Sequence, residues 1–178
     1  MNNKKIIYIN TMLLFLLMFI SHNLYKCLPN DVFAIFFPVN ESIWEHMKMI
    51  YTTIIAYIPL ELIILNKLKI NNNNLLLSSY IAGIINIIIE LILFVPIYKI
   101  IGENLPITLV TLLISIFISQ YSSFIILDKP YIKNSNIISI FLIIFTFILM
   151  GILTYNPPKN FLFFDPIKEK YGINIYEI

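Results

Sequence analysis

Long apolar runs separated by short polar breaks dominate the chain. The runs, each about as long as a helix needs to cross a bilayer, occupy residues 6–25, 47–65, 75–98, 105–127 and 137–155. Tandem Pro157-Pro158 ends the last run, because proline cannot continue a helix. The pattern predicts an all-α, polytopic membrane helix bundle of about five transmembrane helices. We expect one domain over residues 1–178, with an outer loop at 26–46 and an outer tail at 156–178.

Composition agrees with a membrane protein and excludes several other classes. Of the 178 residues, 59% are hydrophobic and 12% are charged, whereas globular domains average about a quarter charged. The basic residues are all lysines and form no cluster, so no nucleic-acid partner is expected. The single cysteine, Cys27, excludes an intrachain disulfide. The partner that the composition predicts is the lipid bilayer, with a membrane-protein partner or a second copy of the chain left open.

The charges that flank the runs predict the orientation. The first run follows a basic start but leads into no small-residue cleavage site, so we expect an uncleaved first span. The lysines divide equally between the two sides of a five-span bundle. Those of the tail alternate with Asp165, Glu169 and Glu177, whereas the loops on the other side are nearly free of acids. The loop-charge rule then favours the amino terminus inside and the carboxyl terminus outside the cell membrane.

Because five is odd, the 26–46 loop, the loop after residue 98 and the carboxyl tail should share the outer face. Both histidines of the chain and most of its unusual polar residues fall there: His22, Cys27, Asp31, Glu41, Glu45, His46, Glu103 and Asp165. Several ionisable groups on one membrane face indicate a site.

The densest polar stretch, residues 36–46, precedes the second span. Asn40 after Pro38 predicts a helix that begins at Glu41. On that helix Glu41 and Glu45 lie one turn apart and can converge on one ligand. The expected lipid-facing arc is Ile43, Trp44, Met47, Ile50, Tyr51 and Ile54. The expected arc along an outward-opening cavity is Glu41, Ser42, Glu45, His46, Met49, Thr52 and Thr53.

This polar arc supplies the candidate site residues. We expect Glu41, Glu45 and His46 as catalytic groups. The expected ligands of a divalent metal such as zinc or manganese are Glu41, Glu45, His22 and Asp165. Structural alternatives stay open for each residue: Glu45 can pair with Lys48 at the surface, Glu41 can stabilise the helix start, and the histidines can be interfacial. The apolar stretch 160–164 should fold over the outer mouth or lie on the bilayer interface, which would bring Asp165 near the Glu41 helix.

Asn86 and Glu90 are the polar residues deep within the third span. An acid at that depth costs about 2.5–3.5 kcal/mol on insertion scales, so it should face the bundle interior and have a partner. His46 and Lys99 are the partners we expect for Glu90, whose role can be functional or a fastening between helices. For Glu61, near the inner end of the second span, we expect snorkelling or pairing with Lys67.

Three segments together resemble a known family: residues 38–46 (PVNESIWEH), residues 155–158 (YNPP), and residues 164–172, which begin FDP and end YG. They resemble an uncharacterised family of small bacterial multi-pass membrane proteins, a domain of unknown function that carries a PVNES-x-WEH motif. The resemblance implies a bundle of about five spans in a bacterial cytoplasmic membrane, and it implies no activity.

The functional hypothesis is therefore an outward-facing polar or metal-binding site within a membrane bundle. If the protein is an enzyme, metal-assisted hydrolysis of a lipid or peptide bond is the reaction class to test first. The alternative is a non-enzymatic transport component or an accessory membrane subunit. Acids within spans such as Glu90 fit an ion or proton pathway as well as a hydrolytic site.

Overall fold

The computed structural model describes residues 4–173, which form six helices and one short β-hairpin. The helices are α1 (Lys5–Cys27), α2 (Asp31–Phe36), α3 (Ile43–Leu68), α4 (Leu75–Ile101), α5 (Leu105–Leu127) and α6 (Ser135–Tyr155), and the antiparallel strands are β1 (Phe164–Asp165) and β2 (Lys170–Tyr171). All of the helices except α2 are long and apolar enough to cross a membrane. The predicted all-α bundle of about five spans is confirmed, and helix length and composition make this a multi-pass membrane protein.

Local sequence explains where the helices begin and end. Asn104 caps α5 by accepting a hydrogen bond from the backbone N–H of Ile107, and Pro106 occupies the first turn, where no N–H is needed. Helix α4 ends at Gly102, whose φ of +74° ends the helical conformation. Helix α3 ends at Lys69 in the left-handed region. The apolar runs therefore determine where the helices form, and the residues that flank the runs determine where the helices begin and end.

Helix α3 lies at the centre of the bundle, so the prediction that one of its arcs faces lipid is wrong. Ile43, Met47, Ile50, Tyr51 and Ile54 are all buried. Helices α1 and α4 pack against α3, and the Tyr51 ring meets the α6 ring of Phe147 at 5.5 Å between centroids. Because neighbours surround this part of α3, both arcs serve as core there. The exposed apolar surface is carried by side chains of the other spans and by the last third of α3, at Leu60, Leu62 and Ile63.

The helix ends that carry the candidate residues meet at one end of the bundle, called here the site end. It comprises the carboxyl ends of α1, α4 and α6 and the amino ends of α3 and α5. His22 of α1 contacts His46 of α3, and Thr111 of α5 donates a hydrogen bond to Glu90 of α4. The connection between α1 and α3 contains the short helix α2, where a loop is predicted from the sequence.

The segment after α6 folds back onto the site end, as predicted for residues 160–164. The backbone N–H of Trp44 donates to the carbonyl of Leu162 at 2.8 Å, and the Trp44 ring stacks on Phe163. Gly172, with φ +62°, passes so close to α6 that an added Cβ would lie 2.8 Å from the Thr154 carbonyl oxygen. This docked segment, residues 156–173, is called the tail below. The predicted tail extends to 178, and its last five residues lie outside the described part of the chain.

Candidate metal centre and cavity

The site begins with an unusual turn before α3. Ser42, and not Asn40, caps the helix: its side-chain oxygen accepts a hydrogen bond from the backbone N–H of Glu45 at 3.3 Å. The Asn40 side chain accepts from the Ser42 N–H at 2.9 Å and donates to the Gly172 carbonyl of the tail at 3.1 Å. The predicted helix start at Glu41 is therefore wrong by two residues, because the tail engages Asn40. As a result, Glu41 lies in the turn before α3, and its carboxylate approaches both His46 of α3 and His22 of α1.

Three side chains converge at this turn. His22 Nε2 lies 3.2 Å from His46 Nε2 and 3.3 Å from Glu41 Oε2, and His46 Nε2 lies 3.6 Å from the same Glu41 oxygen. A tetrahedral zinc ion with bonds of about 2.0–2.1 Å places its ligand atoms roughly 3.3–3.4 Å apart. The three atoms therefore have the spacing of one face of a metal coordination shell, and His22, Glu41 and His46 can hold a divalent ion.

The hydrogen bonds behind the cluster fix which atoms face its centre. His46 Nδ1 lies 2.9 Å from the carbonyl oxygen of Ser42, which can only accept, so Nδ1 carries the hydrogen. In neutral His46 the Nε2 lone pair then points toward His22 and Glu41. Such a bond from the second ring nitrogen to a carbonyl oxygen is the usual way in which proteins orient a metal-binding histidine.

Glu41 provides the negative charge of the cluster. Its second oxygen, Oε1, accepts a hydrogen bond from Lys26 Nζ at 2.8 Å. The hydrogen bond from His22, with the Lys26 ammonium as a further cause, holds the pKa of the Glu41 carboxyl well below its usual range, although burial opposes the shift. Glu41 is therefore ionised at neutral pH, with one oxygen held by Lys26 and the other facing the two histidines.

Glu45 and Asp165, two of the expected ligands, are directed elsewhere. The Glu45 carboxylate forms a buried ion pair with Lys48 and accepts hydrogen bonds from the Val39 N–H and the Thr154 hydroxyl. Asp165 is buried in the hairpin, where Oδ1 accepts from the backbone N–H groups that follow β1. The pair of Glu45 with Lys48 is thus made, but in the interior and not at the surface.

A cavity of about 400 Å³ opens beside the cluster. Glu41 and His46 lie on its wall, and apolar side chains from α3, α4 and α5 form most of its lining, among them Met47, Ile50, Phe94 and Leu112. The tail contributes Phe161, Phe164, Pro166 and Tyr171. The cluster is thus adjacent to an apolar chamber that the tail partly covers.

Glu90 lies on the wall of the same cavity, deeper along α4. Its Oε1 accepts a hydrogen bond from the Thr111 hydroxyl at 2.9 Å, and Oε2 has no hydrogen-bond partner within residues 4–173. The expected partners are absent: Lys99 lies over the Phe161 ring of the tail, and His46 belongs to the cluster. Asn86, one turn away, is also buried and donates to Ser119.

Comparison with known proteins places the whole described chain in one family. Residues 1–173 match the model of a family of unknown function, DUF6512. The chain is a member of DUF6512. No curated protein and no solved structure matches it. The resemblance to a domain of unknown function is confirmed, and the site of this DUF6512 protein has to be interpreted from its own geometry.

Two features of this DUF6512 member were missed by the sequence analysis. His46 was expected as a catalytic group and not as a ligand, and Lys26 was given no role. Both have a signal in the sequence: Lys26 follows His22 by one helical turn, and His46 is the only other histidine of the chain. Glu61 does not pair with Lys67; it is buried against Asn10, far from the cluster.

Proposed function

We propose that the protein is a membrane-embedded, metal-dependent hydrolase whose zinc or manganese ion is held by His22, Glu41 and His46. The observation that carries this proposal is the convergence of three potential ligand atoms from these side chains within 3.6 Å of one another. Two histidines and one glutamate, with a fourth position open, form the ligand set of several hydrolytic zinc sites. In this set His46 replaces Glu45 and Asp165 of the sequence-based hypothesis.

The residues around the cluster support a catalytic and not a purely structural metal. When bound, a divalent ion in such a site acts as a Lewis acid and activates water at neutral pH. Structural zinc sites have four protein ligands, whereas this cluster offers three and has a cavity beside it. The Ser42 carbonyl orients His46, and Lys26 holds the outer oxygen of Glu41.

The cavity indicates the kind of substrate. Its volume of about 400 Å³ lies within the range of small-molecule sites, and its wall is mainly apolar. An amphiphile, such as a lipid, can place its apolar part beside Met47, Ile50 and Phe94 and its polar, scissile bond beside the cluster. We assign proton transfer to Glu90, because one of its carboxyl oxygens is left without a partner on the cavity wall.

Lysine placement supports an outward-facing site. With the amino terminus inside, the loops at residues 69–74 and 128–134 lie in the cytoplasm, and their lysines have few acidic neighbours. The site end then faces the outside of the cell membrane. Substrate would reach the cavity from the outer leaflet or from the external solution.

A non-enzymatic transport component or accessory subunit is the second candidate. The observation that favours it is Glu61, a second buried acid near the opposite end of the bundle, in a network separate from the cluster. Buried acids at two depths are typical of ion and proton pathways. The two candidates differ in whether a metal-loaded protein turns over a substrate.

Metal content is the first test. The purified protein, equilibrated with Zn²⁺ or Mn²⁺ and freed of loose ions by gel filtration, should retain one ion per chain. His22→Ala, His46→Ala and Glu41→Gln should each weaken binding by roughly tenfold or more, since even outer-shell changes typically cost 10–100-fold. Glu103→Gln is the matched control: this acid also lines the cavity but is outside the cluster, so its variant should bind normally. Equal losses in all four variants, or no bound ion in the unmodified protein, would contradict the proposal.

Turnover separates the two candidates. The metal-loaded protein in bilayers should hydrolyse ester, amide or phosphoester amphiphiles that fit the cavity. Glu90→Gln should abolish most of the turnover while the bound metal is retained, because the amide cannot accept a proton. A protein that keeps its ion but hydrolyses none of these amphiphiles would favour the transport or accessory role.

A further inference from the structure

A second polar network crosses the bundle near the end opposite the site end. Four spans contribute to it: Asn10 from α1, Tyr57 and Glu61 from α3, Ser79 from α4 and Gln120 from α5. All five side chains are buried, and only 3% of the Glu61 surface is exposed. The network shares no residue with the cluster or the cavity wall, so an inference about it does not depend on the proposed hydrolase.

Asn10 is the centre of this network. Its amide nitrogen donates to Glu61 Oε1 at 2.7 Å and to Gln120 Oε1 at 3.2 Å, and its amide oxygen accepts a hydrogen bond from the Tyr57 hydroxyl at 2.8 Å. Both donor hydrogens of Asn10 are thereby used. Among residues 4–173, the other members of the network are neutral amides and hydroxyls, and Tyr57 is the one of them that can titrate. These bonds hold the carboxyl group in place without supplying positive charge.

The second carboxylate oxygen of Glu61, Oε2, lacks a good hydrogen-bond donor and a positive charge. Oε2 lies 3.5 Å from Ser79 Oγ, whose single hydrogen has a better acceptor in the Leu75 carbonyl oxygen at 2.9 Å. Ser79 then presents a lone pair to Glu61 Oε2, and two lone pairs face each other. No ion pair among residues 4–173 includes Glu61. An unpaired carboxylate is very unfavourable in a membrane interior. A positive charge between Glu61 Oε2 and Ser79 Oγ would remove this cost.

We infer that Glu61 is the centre of an intramembrane site for one monovalent cation, either a proton or Na⁺. One positive charge neutralises the single carboxylate, whereas a divalent ion would leave an uncompensated charge in the membrane. The oxygens that Gln120, Tyr57 and Ser79 contribute to the same network are hard, neutral groups of the kind that bind hard cations such as Na⁺, and Ser79 Oγ can equally accept a hydrogen bond from protonated Glu61. The site would make the bundle responsive to pH or to sodium.

Infrared spectroscopy of the full chain in lipid bilayers tests this inference. A protonated carboxyl group gives a C=O stretching band that an ionised one lacks. The unmodified protein should show such a band, Glu61→Gln should lose it, and Glu90→Gln, the same change at another buried acid, should keep it. Raising the pH should remove the Glu61 band if the cation is a proton only. Replacing K⁺ by Na⁺ at constant pH should remove it if Na⁺ also binds.

Two results would overturn the inference. If no Glu61 band appears at any pH in K⁺ buffer free of Na⁺, the carboxylate is ionised with neither cation bound. If neither pH nor Na⁺ changes the band, the acid is permanently protonated and only fastens helices. Asn10→Ala gives a second assignment in case Glu61→Gln fails to fold, because loss of the hydrogen bond at Oε1 should shift the Glu61 band. Removal of bound metal by a chelator should leave the band unchanged, which separates this site from the metal centre.

Discussion

At the scale of single residues, Glu41 and Glu45 lie four positions apart but differ in burial and in their partners. Glu41 is partly exposed and faces two histidines and Lys26. Glu45 is sealed in the interior with Lys48, whose ammonium also donates to the Ala34 carbonyl and the Thr154 hydroxyl. The pair of Glu45 with Lys48 therefore joins α2, α3 and α6, whereas one carboxylate oxygen of Glu41 faces the two histidines.

The buried pair gives a prediction about stability. Lys48→Met should lower the free energy of unfolding by about 3–5 kcal/mol, because it leaves the Glu45 carboxylate buried and uncompensated. The double variant Glu45→Gln plus Lys48→Met should recover most of that loss. Denaturant unfolding in mild detergent measures both. Each folded variant should still bind one metal ion, and a folded Lys48→Met or double variant without metal would contradict the separation of the pair from the cluster.

Whether the sequence could distinguish the roles of Glu41 and Glu45 depends on the turn that precedes α3. Glu41 and His22 were predicted as ligands from their polarity and their position near helix ends, and the structure brings both into the group that could hold a metal. Glu45 was assigned to the same site because Asn40 is as good a helix cap as Ser42. The contact of Asn40 with Gly172, 132 positions later, decides between them. No local pattern contains that information.

At the scale of elements, the length of a helix or strand decided whether the sequence could predict it. Each span is a run of about 20 apolar residues, and its helix was predicted to within a few positions of the observed ends. Helix α2 has six residues and each strand of the tail has two. Such short elements exist because tertiary contacts hold them, such as the contact between the rings of Phe36 in α2 and Phe147 in α6. Their existence could not follow from periodicity.

Close packing of α3 against α4 gives a second prediction. A Cβ at Gly83 would lie 2.7 Å from Cδ2 of Tyr51, a ring also held by Tyr80 and Phe147. Gly83→Ala should therefore cost about 1–3 kcal/mol of stability by overpacking. Gly151→Ala is the matched control in α6, where the nearest atom to the new Cβ is at 3.6 Å.

The control should be neutral or slightly stabilising, since alanine is favoured over glycine in a helix by about 1 kcal/mol. Thermal unfolding in detergent or in bilayers compares the two variants directly. If both tolerate alanine equally, the Tyr51 ring has room to move, and the tight contact between α3 and α4 does not limit stability.

At the scale of the whole molecule, the odd number of spans gives a prediction about topology. A reporter fused before Met1 should lie in the cytoplasm, and one fused after Ile178 should lie outside, because five crossings separate them. A reporter inserted in the 69–74 loop is the control and should share the side of the first. Activity of a compartment-specific reporter enzyme measures each position. Both ends in one compartment would mean that one of the five helices does not span the bilayer.

The ligands of the proposed metal lie within one short stretch of the chain, from His22 to His46, whereas the cavity beside them is completed by α4, α5 and the tail. During synthesis the ribosome therefore delivers the entire ligand set with the first two spans, before the chamber exists. An ion can be captured at that stage and enclosed later, when the tail docks. The same division allows the residues of the chamber to change in evolution without disturbing the segment that carries the proposed ligands.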